Sequence, residues 1–262
     1  MCAVHQKSKN KSVGLHAHPC LQPAPPLAAV AAALGLRLPG LGAACALPLA
    51  LTALLLAGPL LPLALSWWGA DAVQQDGSGS GGGSASTACR RPGPLWRHRV
   101  SALPAAVRVR NWLAAPLLEE FLFRGCLLSF LLSSGVRPAP AIALSPLLFA
   151  ACHLHHWREL VHFQGCAPRA AVSILAFQLG YTTLFGWLAA FLFVRSRHLA
   201  AAVLPHALCN VVGPPGPPRA RSAAGTLVVA ALPVGTAAFF AALGPLTRPE
   251  LFDNDLLGAW GM

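Results

Sequence analysis

Six side chains in this sequence have the types and spacing of a hydrolytic site: Glu119, Glu120, Arg124, His153, His206 and Asn210. The first three stand in Glu119-Glu120-Phe-Leu-Phe-Arg124, inside an otherwise apolar stretch from Trp112 to Leu132. The chain has only eight acidic residues, and between Asp76 and Glu159 these two are the only ones. A carboxylate at membrane depth is costly, so such residues persist where they pair, face a wet cavity or do chemistry. Residues four apart share a helix face, so Glu120 can pair with Arg124 while Glu119 points about 100° away around the helix. A carboxylate left free to face a cavity is what general-base activation of water needs. Phe149-Ala-Ala-Cys-His153-Leu-His155-His156 then places His153 and His156 on one face, and His206-Ala-Leu-Cys-Asn210 does the same for His206 and Asn210. One intramembrane histidine or asparagine is ordinarily interhelical glue. Three segments that each present polar groups at one-face spacing point to a shared site.

Two chemistries fit these residues. Glu119, His153 and His206 form a Glu-His-His set of the kind that holds hydrolytic zinc, although the helical H-E-x-x-H pattern is absent. The same residues could instead serve a water activated directly by the glutamate. Cys126 and Cys152 lie near the acids, but no spacing argument supports a cysteine nucleophile.

The elements that must position these groups are membrane helices. Of the 262 residues, 55% are hydrophobic and 10% charged, and the mean hydropathy is +0.59. A soluble domain carries about 25% charged residues. The composition predicts an all-α polytopic transmembrane bundle, with length for about six to eight membrane helices at roughly 20 residues each. The formal charge of +11 comes from bases in loops between apolar runs, as in cytoplasmic loops of membrane proteins, and no aromatic-basic pattern for nucleic acid accompanies it. Partners are therefore expected to include the lipid bilayer and no nucleic acid. None of the eight cysteines forms C-x-x-C, and several lie in apolar runs, so reduced thiols rather than a disulfide framework are expected.

Residues 1–26 read as a polar N-terminal tail and 27–68 as N-terminal membrane segments, with a short helix near 27–36 and a span within 41–68 ended by Trp67 and Trp68. Residues 69–104 read as a Gly/Ser-rich linker and basic loop. Arg90, Arg91, Arg97, Arg99, Arg108 and Arg110 place that end in the cytosol by the positive-inside rule. Residues 105–246 read as the main membrane domain: a long helix over 105–134, a second over 139–156, a polar loop over 157–168, and a span over 170–194. A short helix over 199–212, stopped by Pro214, Pro215, Pro217 and Pro218, and a last span over 223–246 follow. Residues 247–262 form a C-terminal tail.

The motifs resemble those of the type II CAAX prenyl endopeptidases, intramembrane proteases of the glutamate type. The family's E-E-x-x-x-R falls on Glu119, Glu120 and Arg124, its F-x-x-x-H on Phe149 and His153, and its H-x-x-x-N on His206 and Asn210. Arg110-Asn111, Ala115-Pro116-Leu117, His153-Leu-His155-His156, Ala176-Phe-Gln178-Leu-Gly-Tyr181-Thr182 and Phe191-Leu-Phe193-Val-Arg195 are similar to the eukaryotic branch, so the resemblance covers roughly 108–216. It implies that Glu119 activates the hydrolytic water with help from His153. It implies that His206 and Asn210 stabilise the oxyanion and that Glu120 and Arg124 support Glu119. The implied reaction removes the last three residues of a prenylated CAAX protein, such as a small GTPase, at the endoplasmic reticulum membrane, with a multi-pass enzyme whose site opens to the cytosol. No cofactor is implied, and zinc stays open; a zinc-dependent intramembrane protease, or a non-catalytic membrane scaffold of the same fold, are the alternatives.

Overall fold

The computed structural model describes residues 25–61, 103–213 and 223–254. Trp67, Trp68, the Gly/Ser linker, Arg90, Arg91, Arg97, Arg99 and the prolines from Pro214 to Pro218 lie outside the described residues, as do residues 1–24 and 255–262. Among the described residues every element is helical. They are α1 (Leu27–Ala33), α2 (Leu41–Leu55), α3 (105–133), α4 (Pro138–Phe163), α5 (Pro168–Ser196), α6 (Ala200–Val212) and α7 (Ala223–Leu246), followed by a 3₁₀ turn at Pro249–Phe252. Helices α4, α5 and α7 are each long and apolar enough to cross a membrane, and α2 and α6 are shorter apolar helices. Leu117, Leu118, Leu122, Phe130, Leu144, Leu147, Val234 and Phe240 are exposed. Such large apolar side chains on the outside suit a bundle that meets lipid rather than water.

The sequence boundaries hold for α5 to α7 within a few residues and fail in one place. Residues 157–163, expected as a polar loop, continue α4 through a 3₁₀ turn at Cys152–His155 and a π turn at Glu159–Phe163, leaving 164–167 as the connection. The residues are polar because that end of the helix is exposed, not because it is unwound. His156 accepts this geometry by pairing with Glu159 one turn on, Nδ1 to Oε2 2.9 Å. In that connection, Cys166 stands in a disulfide, against the expectation of reduced thiols. It lies between helices rather than within an apolar run. Cys45, Cys126, Cys152 and Cys209 are free.

The core around α3 to α6 is built from Leu128, Leu132, Ala141, Ala190, Phe193, Val194, Leu199 and Val203. Within lipid no hydrophobic gain drives helices together, so close backbone approach through small residues does the work. Gly186 is the clearest case: a Cβ there would stand 2.7 Å from the Pro146 side chain and 3.3 Å from the Arg124 guanidinium. On the other side, Leu51 of α2, Leu192 of α5 and Phe239 of α7 form a second cluster.

One end of the bundle is closed by a hook. Residues 247–254 fold back over the turns that join α1 to α2 and α5 to α6. Phe252 is buried with Ala44 and Ala201. The Asn254 amide donates to the carbonyls of Val194 and Arg195, and Arg195 Nε donates to the Thr247 carbonyl at 2.7 Å. Arg37 donates to the Asp253 carbonyl. Gly40 must be glycine on two counts: its φ is 73°, and a Cβ would meet the Phe252 carbonyl oxygen at 2.3 Å.

Candidate active site

Helix α3 is not a regular α-helix, and its irregularity sets the site. It is wound as π-helix at Arg110–Ala114 and again at Phe121–Leu128. In the first π turn the Ala115 N–H bonds the Arg110 carbonyl five residues back. By the same winding the Asn111 carbonyl would take its donor from residue 116, which is Pro116 and has no N–H. The orphaned carbonyl accepts the side-chain amide of Asn210 from α6 at 2.9 Å. A buried or half-buried carbonyl in lipid needs such a partner. Single-turn π bulges recur at functional sites for this reason.

One α-turn later the acids separate. Glu120 and Arg124 are both fully buried, whereas the Glu119 side chain is 37% exposed. Arg124 Nη1 donates to Glu120 Oε1 at 3.1 Å, and its Nη2 donates to the Gly186 carbonyl on α5 at 3.2 Å. The guanidinium carbon also sits 4.7 Å from the centre of the Phe149 ring on α4. One cation therefore ties α3, α4 and α5 together. The missing side chain at Gly186 is what lets the guanidinium reach that backbone.

His206 of α6 stands between the two acids. Its Nδ1 is 2.7 Å from Glu120 Oε1, and its Nε2 is 3.7 Å from Glu119 Oε2. With Glu120 accepting a hydrogen bond from Nδ1–H, the ring is oriented so that Nε2 faces the exposed carboxylate. This carboxylate–histidine pairing fixes the imidazole the way outer-shell carboxylates do in hydrolytic sites. His153 is oriented differently: its Nδ1 donates to the Phe149 carbonyl one turn back, 3.0 Å, leaving Nε2 as the working nitrogen. Phe149 packs edge-on against both rings, with centroids 5.0 Å from His153 and 6.2 Å from His206. His155 turns outward and bonds the Cys152 carbonyl. From α5, Tyr181 lies beside Cys209, the residue before Asn210.

All six residues singled out from the sequence thus lie on three helices that meet. Direct contacts join Glu119, Glu120, Arg124 and His206; Phe149 links His153 to them; Asn210 joins through the Asn111 carbonyl. The sequence reading missed Asn111, Gly186 and Phe149 as contact-makers. The signal for the first was Pro116, whose missing N–H matters only once the π winding is known.

A zinc centre fits these residues poorly. Glu119 Oε2 and His206 Nε2 are near enough to share an ion, with Glu120 on the other nitrogen of His206, but they make only two ligands. Among the described residues no group of three His, Cys, Asp or Glu is placed to hold a metal. Hydrolytic zinc sites present three protein ligands.

Fold and site together define an all-helical membrane protein with a buried Glu–Arg–His cluster and one solvent-reachable glutamate. Residues 101–212 match the family described as type II CAAX prenyl endopeptidase Rce1-like. CAAX prenyl protease 2 of Arabidopsis thaliana is 41% identical over 146 residues, 55% of this chain and 46% of the relative. CAAX prenyl protease 2 of Homo sapiens is 33% identical over 227 residues, 84% of this chain and 63% of the relative. The probable CAAX prenyl protease 2 of Schizosaccharomyces pombe is 36% identical over 118 residues. Over residues 101–212 the chain is similar to the type II CAAX prenyl endopeptidase family. It spans 46% and 63% of the length of the plant and human relatives. No solved structure matches it.

Proposed function

We propose that the chain is an intramembrane endopeptidase that removes the C-terminal aaX tripeptide from prenylated CAAX proteins, farnesylated or geranylgeranylated, such as small GTPases. The observation that carries this reading is the division of the acid pair. Glu120 is buried against Arg124 and His206, and Glu119 remains exposed 3.7 Å from the free edge of His206. In the proposed reaction Glu119 takes a proton from water as the oxygen attacks the carbonyl of the prenylated cysteine. His153 assists through Nε2. The second N–H of the Asn210 amide donates to the oxyanion, with the His206 ring alongside, and the proton held by Glu119 passes to the leaving amine. Glu120 and Arg124 hold His206 and the site helix in register and touch no reacting atom. A donor aimed where charge develops is worth about 10²–10³ in rate.

The site suits an amphipathic substrate. In this proposal the isoprenoid approaches the site from the bilayer, and the polar groups hold the water that the scissile amide needs. The enzyme belongs in this proposal to the endoplasmic reticulum membrane, residues 105–246 forming the protease domain. The arginines over 90–110 set the open end of the site in the cytosol. The test is cleavage of a farnesylated C-a-a-X peptide by the purified chain, wild type against Glu119→Gln. The proposal expects release of the intact tripeptide and loss of turnover by about 10³-fold or more in the variant, in line with loss of a general base. Full activity of Glu119→Gln would sink the mechanism.

A further inference from the structure

The geometry points to Arg110 as the anchor for the free C-terminal carboxylate of the substrate, a reading that rests on the endopeptidase function proposed above. Arg110 and Asn210 are both exposed, on α3 and α6 respectively. Asn111 connects them. Its side-chain Oδ1 accepts Arg110 Nε at 3.0 Å, and its main-chain carbonyl accepts the Asn210 amide at 2.9 Å. One residue thereby sets the position of a cation relative to the oxyanion donor.

The guanidinium suits the task. Nε is used to fix its orientation, which leaves the two terminal nitrogens, a planar fork that matches a carboxylate. Among the described residues Arg110 has no carboxylate partner, whereas the other cation of the site, Arg124, is paired with Glu120 and the Gly186 carbonyl. The spacing agrees with the chemistry. The bond to be cut lies three residues from the chain end, which is about 10 Å of extended peptide. Two hydrogen bonds and the single residue Asn111 join the Arg110 fork to Asn210, a path of the same order as that peptide. The proposed substrate must bring a formal negative charge to the edge of the bilayer, and an exposed arginine at that distance offsets the cost.

The arrangement makes Arg110 a gauge of chain ends: it selects peptides that terminate three residues beyond the cut and rejects internal sites. The experiment compares a farnesylated C-a-a-X tetrapeptide ending in a free carboxylate with the same peptide ending in a carboxamide. Wild type is expected to prefer the acid by about tenfold or more in kcat/KM, carried by KM, as for a hydrogen bond to a charged group. Arg110→Gln should bring the ratio close to one, Arg110→Lys should retain part of it, and Arg108→Gln should keep it. Equal cleavage of both peptides by wild type overturns the inference, as does an unchanged ratio in Arg110→Gln or an equal collapse in Arg108→Gln. Cleavage of neither peptide by wild type instead removes the endopeptidase function on which the inference rests.

Discussion

Replacing Arg124 by alanine should unfold the bundle well before it alters any surface. The guanidinium is fully buried and makes three separate contacts: Glu120, the Gly186 carbonyl and the face of Phe149. Its loss leaves Glu120, also fully buried, with His206 as its remaining partner. Breaking a buried pair from one side costs about 3–5 kcal/mol, because the uncompensated charge stays buried. Loss of the carbonyl contact adds about 1 kcal/mol. For a chain of this size each kcal/mol lowers Tm by about 2–4 °C, so a fall of about 8–24 °C is expected in thermal unfolding of detergent-purified protein. The pairing itself is read from a cycle: Glu120→Gln with Arg124→Met should be more stable than the sum of the single changes implies, by about 1–3 kcal/mol. Arg124→Ala within 2 °C of wild type, or strictly additive single and double changes, would refute the claim that this pair is the electrostatic centre of the fold.

Other outcomes follow from the same geometry. Gly186→Ala forces a methyl to 2.7 Å from Pro146 and 3.3 Å from Arg124 Nη2, so about 1–3 kcal/mol of stability should be lost, measured by the same unfolding scan. Asn210→Ala should lower kcat on the farnesylated peptide by about 10²–10³-fold with little change in KM, as for loss of an oxyanion donor. His198 lies just beyond the end of α5, fully buried. Burial, with Arg37 nearby, pushes its imidazole below the ordinary value of 6.5, against the opposing carbonyls of Pro39 and Phe252. The unfolded chain therefore binds the proton more readily, so stability is intact above about pH 6.5 and is lost as pH falls through the lowered value. Thermal unfolding of His198→Gln should show less acid sensitivity than wild type between pH 7 and about pH 5.

Much of the site was legible because its cost was legible. A chain with eight acidic residues that places two of them in an apolar helix declares them by composition alone. The four-residue spacing of Glu120 and Arg124 then gives the buried pair, since that contact depends only on helical period. The partners that proved hardest to read are main-chain atoms. The Gly186 carbonyl and the Asn111 carbonyl carry no side-chain signature, and which carbonyl is orphaned depends on whether the turn before Pro116 winds with four or five residues. Nor does spacing reveal that His206 bridges both acids, because that requires α6 to lie across α3. The end of α4 was misread for a different reason. Arg158, Glu159 and His162 resemble a loop by polarity, yet an exposed helix end is polar as well.

The hook at residues 247–254 fixes an order of events during synthesis. The turns joining α1 to α2 and α5 to α6 are held by Phe252, Asn254 and the Thr247 and Asp253 carbonyls. Those groups leave the ribosome after the described helices α1 to α7 have been made. The earliest and middle helices can therefore enter the bilayer in sequence, but their shared end stays open until the last span has followed them. A clamp read first as local packing is thus also a checkpoint: until α7 is in place, the ends of the helices that carry Arg124's Gly186 contact and His206 lack their final tie.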